Sequence, residues 1–506
     1  MWIRAILLLL LPLAGCVTAY DPQAASTSLP LTTARQVGTA PEPKRAPTPP
    51  PRRATRTIAA APGETAPPPP TPRVSPPPSG AIAPPQTPAG KQLEWIVGVL
   101  GGEPLDRPRF VARRFAPSFL AKVPESQFRV IMRQWRRDHF GDGAARVVRL
   151  EGDEGGVLAA IVEGVATGAH TRIRVGVDAE GRIDTLWFAP APEYNATGVD
   201  AWADADAMLT RLKGPTGALS LGAYEIAGDG LPRAVHRLGA DRPLAIGSAF
   251  KLYVLGALAE EVAAGRIGWD LPLAIKDTLK SLPSGTMQHH QEGLEFPISR
   301  FAERMISISD NTATDHLLAL LGRARVEDYV SRTSEHAGLN RPFLSTMDMF
   351  RLKLGPDRTL AQRYADADEP GRRALLDGEV ATTIPSFAAA ALWRAPFLVD
   401  RVEWFASADD LARVMADLHR LERADPELAR VLRVNPGLAF DAADWTSVAF
   451  KGGSEPGVLS LTWLLTRRDG RVFVLSLTWN DTSKPVEQAR LIEAAGAATR
   501  LLAREK

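Results

Sequence analysis

Three observations in the sequence predict an α+β multidomain protein. Helical apolar spacing near residue 91 gives way to four strand-like runs separated by Gly/Asp turns. A second, longer region carries strands at both ends and helical patterns between them, which calls for one sheet assembled from both ends with a helical block against it. Ahead of both lies a stretch with almost no apolar periodicity, in which 18 of the chain's 42 prolines fall between Pro41 and Pro88. A length of 506 residues accommodates two or three domains and a sizeable core. The net charge of +2 points neither to nucleic acid nor to a strongly acidic partner. A single Cys excludes an intramolecular disulfide and a Cys-based zinc site, and no cofactor or metal is expected.

The first segment, Met1–Cys16, has one Arg, an apolar run from Ala5 to Leu11, and small residues before Cys16. That order is a secretory signal peptide, too short to span a bilayer. Leu13-Ala14-Gly15-Cys16 also resembles the bacterial lipoprotein box, which predicts lipidation at Cys16. Export and a membrane anchor at the periplasmic or cell-envelope face follow. Each buried CH₂ of such a chain contributes about 0.8 kcal/mol. Residues 17–90 contain APTPPPRR, APPPPTPR and SPPPSG. They cannot bury enough apolar surface to offset ordering entropy and are expected to be a disordered spacer with polyproline II bias.

In the segment 91–192, Leu93, Ile96, Val97 and Leu100 recur at helical spacing. A second helical pattern runs from Phe119 to Trp135, with Phe128, Ile131, Met132 and Trp135 on one side. Strand-like runs follow at Ala145–Leu150, Val157–Val162, His170–Val177 and Ile183–Phe188. Helices followed by a four-stranded meander describe a small α+β domain of the cystatin or nuclear-transport-factor type. It holds no catalytic constellation. His139 and His170 read as ordinary polar or half-buried residues.

From residue 197 onward, Ala218–Ile226 and Ala234–Leu238 read as a strand pair across Ala227-Gly228-Asp229-Gly230. Helical patterns fill about 248–430. Trp445–Phe450, Val458–Thr466 and Arg471–Trp479 close the chain as strands.

Three short stretches carry chemistry. Ser248-Ala249-Phe250-Lys251 opens an apolar helix, and residues three apart share a helix face. A Ser becomes a nucleophile when a neighbour removes its proton, and Lys251 does so only when neutral. Burial and a nearby cation both lower a Lys pKa. The sequence has only 11 Lys and this is its one Ser-x-x-Lys. Ser309-Asp310-Asn311 precedes a further apolar helix and, alone, reads as a helix cap. Lys451-Gly452-Gly453-Ser454 is read as the end of the Trp445–Phe450 strand, where Gly permits close backbone approach.

In this order and within one domain, the stretches resemble the penicillin-recognising serine hydrolases, specifically class A β-lactamases with their S-x-x-K, S-D-N and K-T-G elements. The resemblance covers about residues 197–506 and implies a β-lactamase-like fold, an antiparallel sheet flanked by helices plus a helical subdomain. It looks closer still to the β-lactamase-like protein of clavulanic acid biosynthesis, in the N-terminal isomerase-like domain and in Lys-Gly-Gly for Lys-Thr-Gly. It implies that Ser248 attacks an acyl carbonyl, that Lys251 is the base and that Ser309 passes a proton to the leaving nitrogen. Asn311, Lys451, Gly452, Gly453 and Ser454 would bind substrate, with the Ser248 and Ser454 N–H groups as the oxyanion hole. The partner implied is a small molecule, a β-lactam or a peptidoglycan-like acyl compound. A D-Ala-D-Ala peptidase, an esterase on the same site, and a non-catalytic cell-wall module are the alternatives.

The pattern departs from the family in three places. Gly452 stands where Thr is usual. The stretch Phe387–Asp400 contains no Glu to activate a deacylating water, and Glu403 is expected to lie at the surface. The spacing from Ser309 to Lys451 implies an insertion near 350–395. His289-His290 reads as a solvated loop pair, and Trp393, Trp404 and Trp445 as core.

Overall fold

The computed structural model describes residues 81–104, 113–120, 123, 125–141, 143–154, 156–191, 199–386, 393–438 and 440–505. The predicted signal peptide, Cys16 and all but the last ten residues of the predicted spacer lie outside the described residues. Among the described residues, no helix is long and apolar enough to cross a membrane.

The first folded part comprises α1 (Pro88–Leu100), α2 (Pro117–Leu120), α3 (Glu125–Trp135), β1 (Ala145–Glu154), β2 (Val157–Gly164), β3 (His170–Val177) and β4 (Ile183–Pro190). Thr87 caps α1, its hydroxyl accepting from Gly90 N at 3.1 Å, with Pro88 in the first turn where a missing N–H costs nothing. The described residues of the expected helix from Phe119 to Trp135 fall in two helices, one ending at Leu120 and one starting at Glu125. The strands form an antiparallel meander in the order β1-β2-β3-β4. Leu93, Ile96 and Leu100 of α1 pack with Phe115, Phe128, Ile173 and Val175 in one core. Trp135 stacks on His139 at 4.2 Å, and burial pushes the His139 imidazole down to about 4, so this His is neutral at pH 7.

The second part begins with α4 (Trp202–Lys213), β5 (Gly217–Ile226), β6 (Pro232–Leu238) and β7 (Leu244–Ala245). A 3₁₀ turn (Gly247–Phe250) leads into α5 (Lys251–Ala263). Then come β8 (Pro272–Ala274), β9 (Glu295–Pro297), α6 (Ile298–Ser307), α7 (Asn311–Leu321), α8 (Arg323–Thr333), α9 (Thr346–Leu354), α10 (Arg358–Asp366) and α11 (Glu369–Leu375). β10 (Phe405–Ala406), α12 (Ala408–Glu422), α13 (Pro426–Leu432), β11 (Trp445–Glu455), β12 (Val458–Arg467), β13 (Val472–Asp481) and α14 (Gln488–Ala503) complete it. The predicted insertion near 350–395 contains α10 and α11.

The five-stranded sheet runs β11-β12-β13-β5-β6, all antiparallel, so strands from both ends of the domain meet at β13 and β5. Period-2 alternation gives it two different faces. Leu221, Leu461, Trp463, Leu475, Leu477 and Trp479 pack with Leu209 of α4 and Leu491 of α14. The opposite face is small and hydroxylic: Ser460 bonds Thr478 across the strands at 2.9 Å, and Thr462 bonds Ser476 at 3.1 Å. Fully satisfied hydroxyls cost little when buried, and small side chains let the helical block approach closely. At the centre of that block, α5 is apolar nearly all round, as expected of a buried helix. β11 is an edge strand and runs on to Glu455, so Lys451-Gly452-Gly453-Ser454 lies inside the strand rather than at its end.

Candidate active site

The buried start of α5 positions the first residues of the site. Phe250 stacks on Trp404 with ring centroids 3.7 Å apart, and Trp404 Nε1 donates to Leu344 O at 2.9 Å. Ile246 N donates to Trp404 O at 3.0 Å, so the turn carrying Ser248 is anchored on both sides. Gly247 has φ +47°, a left-handed conformation that favours glycine. A Cβ on Gly453 would lie 2.1 Å from Ile246 O and 2.4 Å from Ser248 N, and one on Gly247 would lie 2.9 Å from Ser454 N. The two glycines therefore let β11 and the turn touch backbone to backbone. The Ser248 and Ser454 amides, expected as an oxyanion hole, flank that contact.

Lys251 is fully buried beneath Ser248. Its Nζ lies 2.7 Å from Ser309 O, 2.7 Å from Asn311 Oδ1, 3.0 Å from Ser309 Oγ and 3.3 Å from Ser248 Oγ. The two nearest partners are carbonyl-type oxygens that only accept. They occupy two N–H bonds, so in the neutral amine the lone pair faces the two hydroxyls. Burial brings the Lys251 pKa down to about 7, against the opposing pull of Asp310 and Asp315. Lys451, on β11, donates from Nζ to Ser309 Oγ at 3.1 Å. Burial first, and then the charge of Lys251, push Lys451 well below the usual lysine range. One hydroxyl, Ser309 Oγ, thus sits between two buried amines, while Lys451 reaches Ser248 only through it.

Ser309 holds φ +57°, sparsely populated for a residue with a Cβ. Its surroundings impose that conformation. Ser309 O accepts from Lys251 and also from Ser284 Oγ at 2.7 Å. Asp310 caps α7 through Ala313 N at 2.8 Å and takes Thr286 N and Met287 N at 2.5 and 2.8 Å. The predicted helix cap and the predicted site motif are therefore the same residues in two roles. Asn311, expected to hold substrate, is 3% exposed, with Oδ1 on Lys251 and Nδ2 on Leu282 O at 3.4 Å. Its amide orients Lys251.

Residues 248, 251, 309, 311 and 451–454 come together at one place. His289 is exposed, and His290 lies beside Phe296 with ring centroids 4.8 Å apart. Trp404 and Trp445 are core, and Trp393 is half-buried. The surface position expected for Glu403 is wrong. Its side chain is fully buried and accepts from Lys353 Nζ at 3.2 Å, and Lys353 reaches Glu455 Oε1 at 2.6 Å. Lys353 supplies the countercharge that makes burial tolerable. Burial opposes the Lys353 charge, yet Glu455 and Glu403 outweigh it and raise the pKa. Burial, then the charge of Glu403, raises Glu455 well above the carboxylate range. Lys353 and Glu455 were missed in the sequence. One signal was present: Glu455 breaks the apolar pattern of a strand at an inward position, two residues past Gly453.

Residues 233–502 match the Beta-lactamase enzyme family, and residues 84–183 match the family described as ORF 12 gene product N-terminal. No curated protein matches the chain. Among solved structures, the chain is similar to a β-lactamase from Sphaerobacter thermophilus, at 18% identity over 60% of this chain and 97% of that one, with a TM-score of 0.41. It is similar to a β-lactamase from Desulfarculus baarsii at 21% identity, over 61% and 99% of the two chains, with a TM-score of 0.39. A β-lactamase from Burkholderia phymatum matches at 17% identity, over 60% and 100%, with a TM-score of 0.41. The family match spans more than half of the 506 residues, including all of the stretches described above, and the chain belongs to the β-lactamase enzyme family.

Proposed function

We propose that this protein is a serine hydrolase that forms an acyl-enzyme on Ser248, with β-lactams as the leading substrate class. The observation that carries the reading is the Lys251 amine, dry, held by two obligate acceptors and 3.3 Å from Ser248 Oγ. In the reaction, Ser248 Oγ bonds to the carbonyl carbon and its proton passes to the Lys251 lone pair. Negative charge develops on the carbonyl oxygen between the Ser248 and Ser454 amides. Losing one such donor costs about 2.7–4 kcal/mol in other serine hydrolases. The proton then moves from Lys251 through Ser309 Oγ, 3.0 Å away, to the leaving nitrogen as the C–N bond breaks. Lys451 supplies an N–H donor beside Ser309, and a substrate carboxylate placed against it would favour its charged form, opposing the burial that lowers its pKa.

The same reading places the protein at the cell envelope, tethered by a lipid on Cys16 and a spacer that ends before the Thr87 cap of α1 rather than at residue 90, with the part from α1 to residue 192 as a separate α+β domain. Kinship with the β-lactamase-like protein of clavulanic acid biosynthesis rests on the two-domain order and on Lys-Gly-Gly. The test is intact-mass analysis after mixing with a penicillin, a cephalosporin, a short-chain ester and a D-Ala-D-Ala peptide. A drug-sized adduct on the peptide containing Ser248, absent in Ser248→Ala, is the expected result. No adduct and no turnover with any of the four ends the reading.

A further inference from the structure

We propose that Glu455 is the general base for hydrolysis of the acyl-enzyme, acting from the buried Lys353–Glu403–Glu455 cluster; this rests on the acyl-enzyme reading above.

Placement comes first. Side chains alternate along β11, so Lys451, Gly453 and Glu455 share one face. On that face Lys451 reaches Ser309 Oγ, and Gly453 lies against Ser248 N. Glu455 follows about 7 Å further along, at about 3.3 Å per residue. Its cross-strand neighbour Val458 packs with Ala245 and Phe405, the paired strands that lead into the Ser248 turn. Glu455 thus enters the wall that carries the nucleophile.

The state of its oxygens comes second. Glu455 Oε1 accepts from Lys353 Nζ, whereas Oε2 is buried without a partner among the described residues. At rest the carboxyl proton of Glu455 is held against Glu403; once Glu455 ionises, its dry oxygen is costly unless something donates to it, and a hydrolytic water is such a donor. The other buried carboxylates nearby are occupied. Asp310 takes three backbone N–H groups, and Asp315 takes Thr346 N and Met347 N at 2.8 and 3.0 Å. Glu403 divides its oxygens between Lys353 and Trp404 N.

The step balances as follows. Ionised Glu455 takes a proton from water while the water oxygen bonds to the acyl carbon. The carbon–Oγ bond of Ser248 then breaks, and Oγ takes up the proton that Glu455 removed from water. Glu455 is ionised again, Lys251 stays neutral as acylation left it with its Nζ 3.3 Å from the regenerated hydroxyl, and the product leaves as a carboxylic acid. Lys353 from α9 and Glu403 from the segment before β10 face Glu455, with Val458 apolar beside it and Trp393 5.6 Å from Lys353 Nζ. Burial and Glu403 hold the proton on Glu455 above the carboxylate range, so decay of the acyl-enzyme rises with pH as Glu455 ionises.

The test follows adduct mass with time for the full chain and for Glu455→Gln, using a penicillin and a chromogenic cephalosporin. The variant is expected to form the adduct and lose it about 100-fold more slowly or worse. Unchanged decay in the variant overturns the proposal, because Gln copies the shape and donor of a protonated, purely structural Glu455. The unaltered chain gives an independent reading: decay that climbs with pH supports the base, and a flat profile from about pH 5 to about pH 9 overturns it. Absence of both adduct and turnover on the unaltered chain sinks the hydrolase reading itself and this proposal with it, whereas adduct formation with unchanged decay in Glu455→Gln sinks only the proposal.

Discussion

Gly453→Ala isolates the contact that assembles the site. The added Cβ would meet Ile246 O at 2.1 Å, Ser248 N at 2.4 Å and Ala249 N at 2.6 Å, all backbone atoms. Ordinary carbon contacts begin near 3.5 Å, so β11 and the Ser248 turn must separate by about 1 Å. That separation moves the Ser454 amide and Lys451 away from Ser248 together, and a misplacement of about 1 Å costs on the order of 100-fold in rate. Overpacking adds about 1–3 kcal/mol of destabilisation. Gly452→Ala is the control. Its Cβ would meet Phe450 Cζ at 2.8 Å and Ser460 O at 3.3 Å, so its nearest clash is with a buried side chain and not with the backbone of the Ser248 turn. The assay is the rate of adduct formation on Ser248 by rapid-quench mass spectrometry, alongside urea unfolding. If Gly453→Ala acylates as fast as the unaltered chain with unchanged stability, the backbone contact does not hold the site, and the geometric account is wrong.

Adduct formation itself should rise with pH through about 7, because the Lys251 pKa is lowered and the amine becomes a base only above it; a burst rate independent of pH between about 5 and 9 contradicts this. Lys353→Met strands two carboxylates in a dry cluster and should cost about 3–5 kcal/mol by denaturant unfolding; a loss below about 1 kcal/mol counters the reading of that cluster. Ser309→Gly and Ser309→Ala should both lose the proton relay, but Gly tolerates φ +57° and should melt higher than Ala, with equal melting temperatures as the contrary result. Asp310→Ala removes the acceptor of three backbone N–H groups and should destabilise by about 1–3 kcal/mol while slowing acylation, measured by unfolding and by the burst.

Much of the architecture was legible because it is written in local periodicity. The four-strand meander and the closing β12–β13 hairpin appear within a residue or two of their predicted ends, except that β1 runs four residues further, to Glu154. Ser248, Lys251, Ser309 and Lys451 were legible because their order in the chain is distinctive. Glu403 was misread because a lone Glu before a helix start usually faces water. Its burial follows from Lys353, 50 residues away, and no local pattern encodes that pairing. The contact of Asn311 Oδ1 with Lys251 was likewise hidden, since it joins residues 60 positions apart.

By itself, the sequence determined which residues are helical and which extended, and which reactive side chains the chain owns, since these depend on neighbours a few positions apart. Only the tertiary structure decided that two amines share the Ser309 hydroxyl, that Gly453 rests on the Ser248 turn, and that three ionisable side chains from distant segments are enclosed together. Those facts depend on distances across the fold and on the exclusion of water. Both arise only when a strand from the end of the domain closes over a helix from its beginning.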